Sequence, residues 1–203
     1  MNYVNRNGEG QQPSALLLGD SISLSYREIV KYLLKDTINI FYPPENGRFA
    51  AYTFRSLYEW SRDLKWSGDM QIVYWNNGLW DVVRIFGDEP QTPLTDYKIL
   101  LERTFKRLKY LFPQAKIIFA TTTPVVESRF DKNIFYRSND DIKKYNEVAV
   151  ETILQKGGIV HDLWALTSHF PEQAYLDSTH FVPKACEIIA LNIARLLNEI
   201  KNK

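Results

Sequence analysis

Residues 14–30, SALLLGDSISLSYREIV, decide how the rest of the chain is read. The apolar run at 15–18 gives way to Gly19-Asp20-Ser21, and helical spacing then sets in over about residues 22–35. A strand buried on both faces reads as a continuous apolar run, so the stretch predicts strand, tight turn and amphipathic helix. A small hydroxyl residue at that junction has two readings. It is an ordinary helix cap, or a side chain presented where α/β proteins bind ligands, beyond the carboxyl end of a strand.

The alternation repeats outward from there. TINIFYPP (37–44) is a second strand, stopped by Pro43 and Pro44. YTFRSLYEWSRDLKW (52–66) has helix spacing, and MQIVYWNN (70–77) is a third strand. Thr92-Pro93 predicts a cap and first-turn proline for a helix running to Phe112, just before Pro113. AKIIFATTTP (115–124) is a fourth strand. Ser138 with Asp141 resembles a capping box for a helix through Gln155, which Gly157-Gly158 ends. IVHDLW (159–164) is a short fifth strand, and Pro183 opens a last helix to about Lys201. Strands this apolar, alternating with helices, predict an α/β chain with a central five-stranded parallel sheet covered on both faces.

No repeat or long linker divides the 203 residues, so one domain over 1–203 is expected, with 1–13 a flexible N-terminal segment. Lys and Arg (25) nearly balance Asp and Glu (24), which excludes the basic footprint of a nucleic-acid binder. The opening residues lack an apolar signal-peptide core, and no apolar run reaches the ~20 residues of a membrane span. A cytoplasmic chain without membrane partner is the expectation. Cys186 is the single cysteine, so no intramolecular disulfide forms, and its amphipathic surroundings mark a buried small apolar residue. His161 and His169 are expected to be structural. No His, Cys and Glu stand at metal-ligand spacing, and neither metal nor cofactor is expected.

The residues after each strand should share one rim. They are Gly19-Asp20-Ser21, PPENGR with Gly47, WNNGLWD with Asn76 and Asn77, and TTTPVVE. Between the fifth strand and the last helix lies YLDSTHFVP, with Asp177 and His180. These are the parts of an acyl-transfer site. A serine needs a base, the base histidine needs a carboxylate to fix its tautomer, and the oxyanion needs fixed donors. Ser21, His180 and Asp177 fill the first three roles. The N–H groups of Ser21 and Gly47 and the Asn76 amide are donor candidates. Asp20, Arg48, Asn77 and Trp80, with Trp75 and Arg55 nearby, are candidates for touching a sugar or an anionic leaving group. The other reading packs Trp75 and Trp80 on the sheet edge and leaves the arginines solvated.

These blocks resemble the SGNH hydrolase superfamily, the GDSL esterases and lipases. LLLGDSIS is similar to its first block, with Ser21 as nucleophile, and Asn46-Gly47 falls at its glycine block. WNNGLWD is similar to its asparagine block and DSTHF to its last, giving Asp177 and His180. Two positions depart from the usual G-x-N-D pattern: Tyr74 stands for the glycine and Asn77 for the aspartate, so Asn76 and Asn77 both remain donor candidates. The resemblance implies a flavodoxin-like three-layer α/β/α sandwich and a metal-free serine esterase. The compact chain, without a long apolar insertion, favours acetyl esters, on carbohydrates or other small molecules. An acyltransferase would use the same residues, and a non-catalytic carbohydrate-binding module would lack one of the three. A nucleotide-binding fold is disfavoured, since the first turn has no G-x-G-x-x-G and Asp20 would repel a phosphate.

Overall fold

The computed structural model describes residues 12–63 and 70–201. Most of the expected N-terminal segment, and the end of the second predicted helix beyond residue 63, lie outside the described residues.

Five parallel strands, β1 (Ser14–Leu18), β2 (Asn39–Phe41), β3 (Met70–Trp75), β5 (Lys116–Ala120) and β7 (Ile159–His161), lie in the order β2-β1-β3-β5-β7. That is the flavodoxin-like order, with the chain reversing direction across the sheet between β1 and β3. Helices α1 (Ser21–Leu34) and α6 (Pro183–Lys201) pack on each other. A second group, α2 (Ala50–Asp63), α3 (Leu94–Leu111) and α4 (Asn139–Gln155), packs in series, α2 on α3 and α3 on α4. Two helical layers with the sheet between them make an α/β/α sandwich. The apolar runs read as strands are its centre: residues 15–18 and 72–75 are fully buried, and Trp75 meets Phe119 edge-on at 5.0 Å. Burying each such side chain is worth about 1.5–3 kcal/mol.

Four expectations need correction. Thr92 does not cap α3; the cap position is Pro93, without a side-chain bond, while Thr92 is buried with its N–H on the Asp81 carbonyl at 3.0 Å. The fifth strand stops at His161 rather than Trp164, because Asp162 Oδ1 accepts the Ala165 N–H at 3.0 Å and starts a short helix, α5 (Leu163–Thr167). The fourth strand stops at Ala120, and Thr121–Thr123 continue as buried coil. Ser138 does cap α4, its Oγ taking the Asp141 N–H at 3.0 Å, but the Asp141 carboxylate turns to Arg84 at 3.1 Å instead of closing a box. A small antiparallel ladder was not foreseen either. Two-residue strands β4 (Arg84–Ile85) and β6 (Phe135–Tyr136) pair antiparallel, joining the loop after β3 to the approach to α4.

Candidate active site

The site is built on the turn that raised the first question. Asp20 is the cap of α1: its Oδ1 accepts the Ile22 N–H at 3.0 Å. Because the aspartate takes that duty, Ser21 Oγ is left to point elsewhere. It lies 2.8 Å from His180 Nε2, although the two residues are 159 apart in sequence. His180 Nδ1 lies 2.7 Å from Asp177 Oδ2. An ionised carboxylate only accepts, so Nδ1 carries the proton and Nε2 is the acceptor for the serine hydroxyl.

The D-x-x-H spacing works because the loop folds on the aspartate. Asp177 Oδ1 accepts the N–H groups of Thr179 and His180, both at 2.7 Å, which leaves Oδ2 for the ring. The loop is braced from outside as well. The Val126 N–H donates to Ser178 O at 2.9 Å, and Arg129 Nη1 donates to Asp177 O at 2.9 Å. Partial burial works against the Asp177 charge, but the bonds from His180 and Thr179 outweigh it and hold the carboxyl below the usual carboxylate range.

The donor candidates part company. The N–H of Ser21 opens α1, among the unpaired first-turn donors at the positive end of the helix. Asn76 is buried, and its Oδ1 accepts the Asp20 N–H at 3.3 Å, which turns its NH2 group outward with no partner among the described residues. Asn77 is fully buried and fully engaged: Oδ1 takes the Trp75 indole N–H at 2.6 Å, and Nδ2 donates to Arg48 O at 3.0 Å and Thr53 Oγ1 at 3.1 Å. The Gly47 N–H donates to the Gly19 carbonyl at 2.8 Å, so it is occupied by the protein here. A Cβ at Gly47 would stand 2.7 Å from that same carbonyl, which is why the position needs glycine.

Of the other candidates, Asp20 is buried with Oδ2 unpartnered, and burial pushes its carboxyl up to about 6 against the pull of the Ile22 N–H, Arg137 and His180. Trp80 is half-buried, with its ring 5.7 Å from the Arg137 guanidinium, whereas Trp75 belongs to the sheet core. Arg48 is exposed, in left-handed backbone (φ 48°), its guanidinium 4.7 Å over the Tyr52 ring, and Arg55 pairs with Glu59. His161 is held by the Tyr74 hydroxyl and Asn192, His169 is exposed, and Cys186 is buried. Sequence reasoning missed Arg137 and Asp81, both buried near this rim. No local pattern marks a charged residue in a polar loop as buried. Among the described residues no group of three or more His, Cys, Asp or Glu is arranged to hold a metal ion, and no helix is long and apolar enough to cross a membrane.

No protein-family model matches the chain. Over 147 residues it is 25% identical to the GDSL esterase/lipase CPRD49 of Arabidopsis thaliana, covering 68% of this chain and 57% of that protein. The chain thus spans a little over half the length of that relative. Among solved structures it resembles a lipase/acylhydrolase from Enterococcus faecalis, with TM-score 0.72, 17% identity, and 92% of this chain and 95% of the other covered. It also resembles an acetyl xylan esterase, with TM-score 0.69, 15% identity, and 91% and 99% covered. The sheet order and the likenesses to solved structures agree on one α/β/α fold, and the curated relative is a GDSL esterase/lipase, the group whose blocks the sequence resembles.

Proposed function

We propose that the chain is a serine-dependent carboxylic ester hydrolase that removes short acyl groups, acetyl above all, from small-molecule or carbohydrate esters through an acyl-serine intermediate. The observation that carries this reading is the Asp177–His180–Ser21 relay, with its 2.7 and 2.8 Å contacts. As Ser21 Oγ attacks the ester carbonyl, His180 Nε2 takes its proton and Asp177 stabilises the imidazolium. The oxyanion develops beside the Ser21 N–H and the Asn76 NH2, two donors already free. The Gly47 N–H, bonded to the Gly19 carbonyl, is not among the free donors. His180 then protonates the leaving alcohol, and water releases the acyl group by the same steps in reverse order.

A short acyl group is the reading supported by the likeness to an acetyl xylan esterase. A carbohydrate alcohol is supported by the likeness to an acetyl xylan esterase and by the half-buried Trp80 at the rim. The test is hydrolysis of p-nitrophenyl acetate, butyrate and octanoate by the wild type and Ser21→Ala. Acetate should be cleaved fastest, and the variant should fall to the uncatalysed rate. Equal inactivity of both proteins on all three esters would remove the reading.

A further inference from the structure

The hydrolase mechanism leaves a buried cation without a task. Arg137 is 4% exposed, yet it forms no ion pair among the described residues. It stands one residue beyond β6, immediately before the Ser138 cap of α4, so the β4–β6 ladder and the helix start fix its backbone from both sides. Its Nε donates to the Leu79 carbonyl at 2.6 Å, and Nη1 reaches Thr179 Oγ1 at 3.5 Å. The guanidinium is shelved on Phe135 at 4.8 Å and Trp80 at 5.7 Å. Leu79 lies three residues past Asn76, and Thr179 directly precedes His180.

Burying a guanidinium away from a carboxylate is costly, so such a residue is retained for what it does there. Recognition of an anionic substrate fits poorly. The carboxylates that face Arg137 are Asp20 from the β1–α1 turn and Asp177 from the relay loop, two negative charges against one positive. The cation is already committed to the protein.

We infer that Arg137 is a positioning residue, tying the oxyanion loop after β3 to the Asp177–His180 loop through Leu79 and Thr179. This rests on the hydrolase reading. The sign follows from the charge. Without the cation, the Asp177 carboxylate loses a favourable charge and protonates more readily, so the acid limb of activity moves to higher pH.

The experiment is the pH profile of kcat/KM on p-nitrophenyl acetate for wild type, Arg137→Gln and Arg137→Lys, each first shown folded by circular dichroism. Arg137→Gln should lose roughly 10- to 100-fold in kcat, and its acid limb should rise by about half to one pH unit. Arg137→Lys keeps the charge without the fork, so it should lose kcat while its acid limb stays where the wild type has it. If Arg137→Gln does not fold, Thr179→Val carries the test, with kcat falling severalfold and KM unchanged. An acid limb unmoved in folded Arg137→Gln, or an unchanged kcat in Thr179→Val, overturns the inference and leaves the hydrolase reading standing. An inactive wild type removes that reading and this inference with it.

Discussion

His161 and His180 are each gripped at both ring nitrogens, in two regions of very different character. At the end of β7, His161 Nδ1 meets the Tyr74 hydroxyl at 2.8 Å and Nε2 meets Asn192 Oδ1 at 2.6 Å. At the rim, His180 meets Asp177 at 2.7 Å and Ser21 at 2.8 Å. The number of bonds and their lengths barely differ. The partners do. Tyr74 and Asn192 are neutral, and burial lowers the His161 pKa, so that ring stays uncharged and merely fills its place. Asp177 is charged and Ser21 is at the mouth of the sheet, which is the arrangement the proposed mechanism needs for a serine to give up its proton. Chemistry here depends on the charge of the orienting partner and on access, and hydrogen-bond satisfaction alone does not reveal it.

The largest effect should come from exchanging the two histidines' fates. His180→Ala should lose roughly 10⁴- to 10⁶-fold in kcat with its fold intact. His161→Gln should keep activity within a few-fold and lose about 1–3 kcal/mol of stability, since it leaves buried partners unmatched. Esterase kinetics beside thermal unfolding separates the two. Comparable losses of kcat in both variants would break the contrast.

A second pair sharpens it at shorter range. Asn76 and Asn77 are adjacent and chemically identical, but only Asn76 has an unengaged NH2 among the described residues. Asn76→Ala should lower kcat by roughly 10²- to 10³-fold with little change in unfolding midpoint. Asn77→Ala strands the Trp75 indole, the Arg48 carbonyl and the Thr53 hydroxyl, so its primary effect should be on the midpoint in urea. A rate loss confined to Asn77→Ala with stability preserved would reassign the donor.

A third comparison concerns carboxylates. Asp177 at the rim is held below the ordinary range, whereas burial pushes Asp81 up to about 7, partly offset by the Ala50 N–H at 3.0 and 3.1 Å on its two oxygens. The folded chain therefore binds the Asp81 proton more tightly than the unfolded chain between about pH 4 and 7. That contribution is fully present below about pH 4 and is lost as pH rises through 7. Asn cannot ionise, so the stability advantage of Asp81→Asn over wild type should grow across that window to a few kcal/mol. Urea unfolding at pH 4.5, 6 and 8 measures it, and a pH-independent difference would contradict the assignment.

Much of this was legible in the sequence, for stated physical reasons. The run at 15–18 is buried on both faces, so it announces a central strand without ambiguity, and the alternation that follows fixes a parallel sheet. Ser138 and Pro183 mark their helix starts because caps and first-turn prolines act locally. That Ser21, Asp177 and His180 meet was readable because the turn after β1 and the loop before α6 lie on the same rim of a parallel sheet. What stayed hidden depends on distant pairing. Strands β4 and β6 have two residues each and meet across fifty positions, too short for any periodicity to show. Arg137 and Asp81 look solvated in their loops and become buried only when those loops close over one another. The cap reading of that turn fell on Ser21, and only side-chain geometry assigns the cap to Asp20.

The most direct test of the central claim is covalent. Wild type, His161→Gln and His180→Ala would be treated with a fluorophosphonate, digested, and the modified peptide identified by mass spectrometry. The account predicts one adduct, on the peptide carrying Ser21, in wild type and His161→Gln, with labelling of His180→Ala slowed to background. No adduct on Ser21 in the wild type, or equal labelling in His180→Ala, would contradict it.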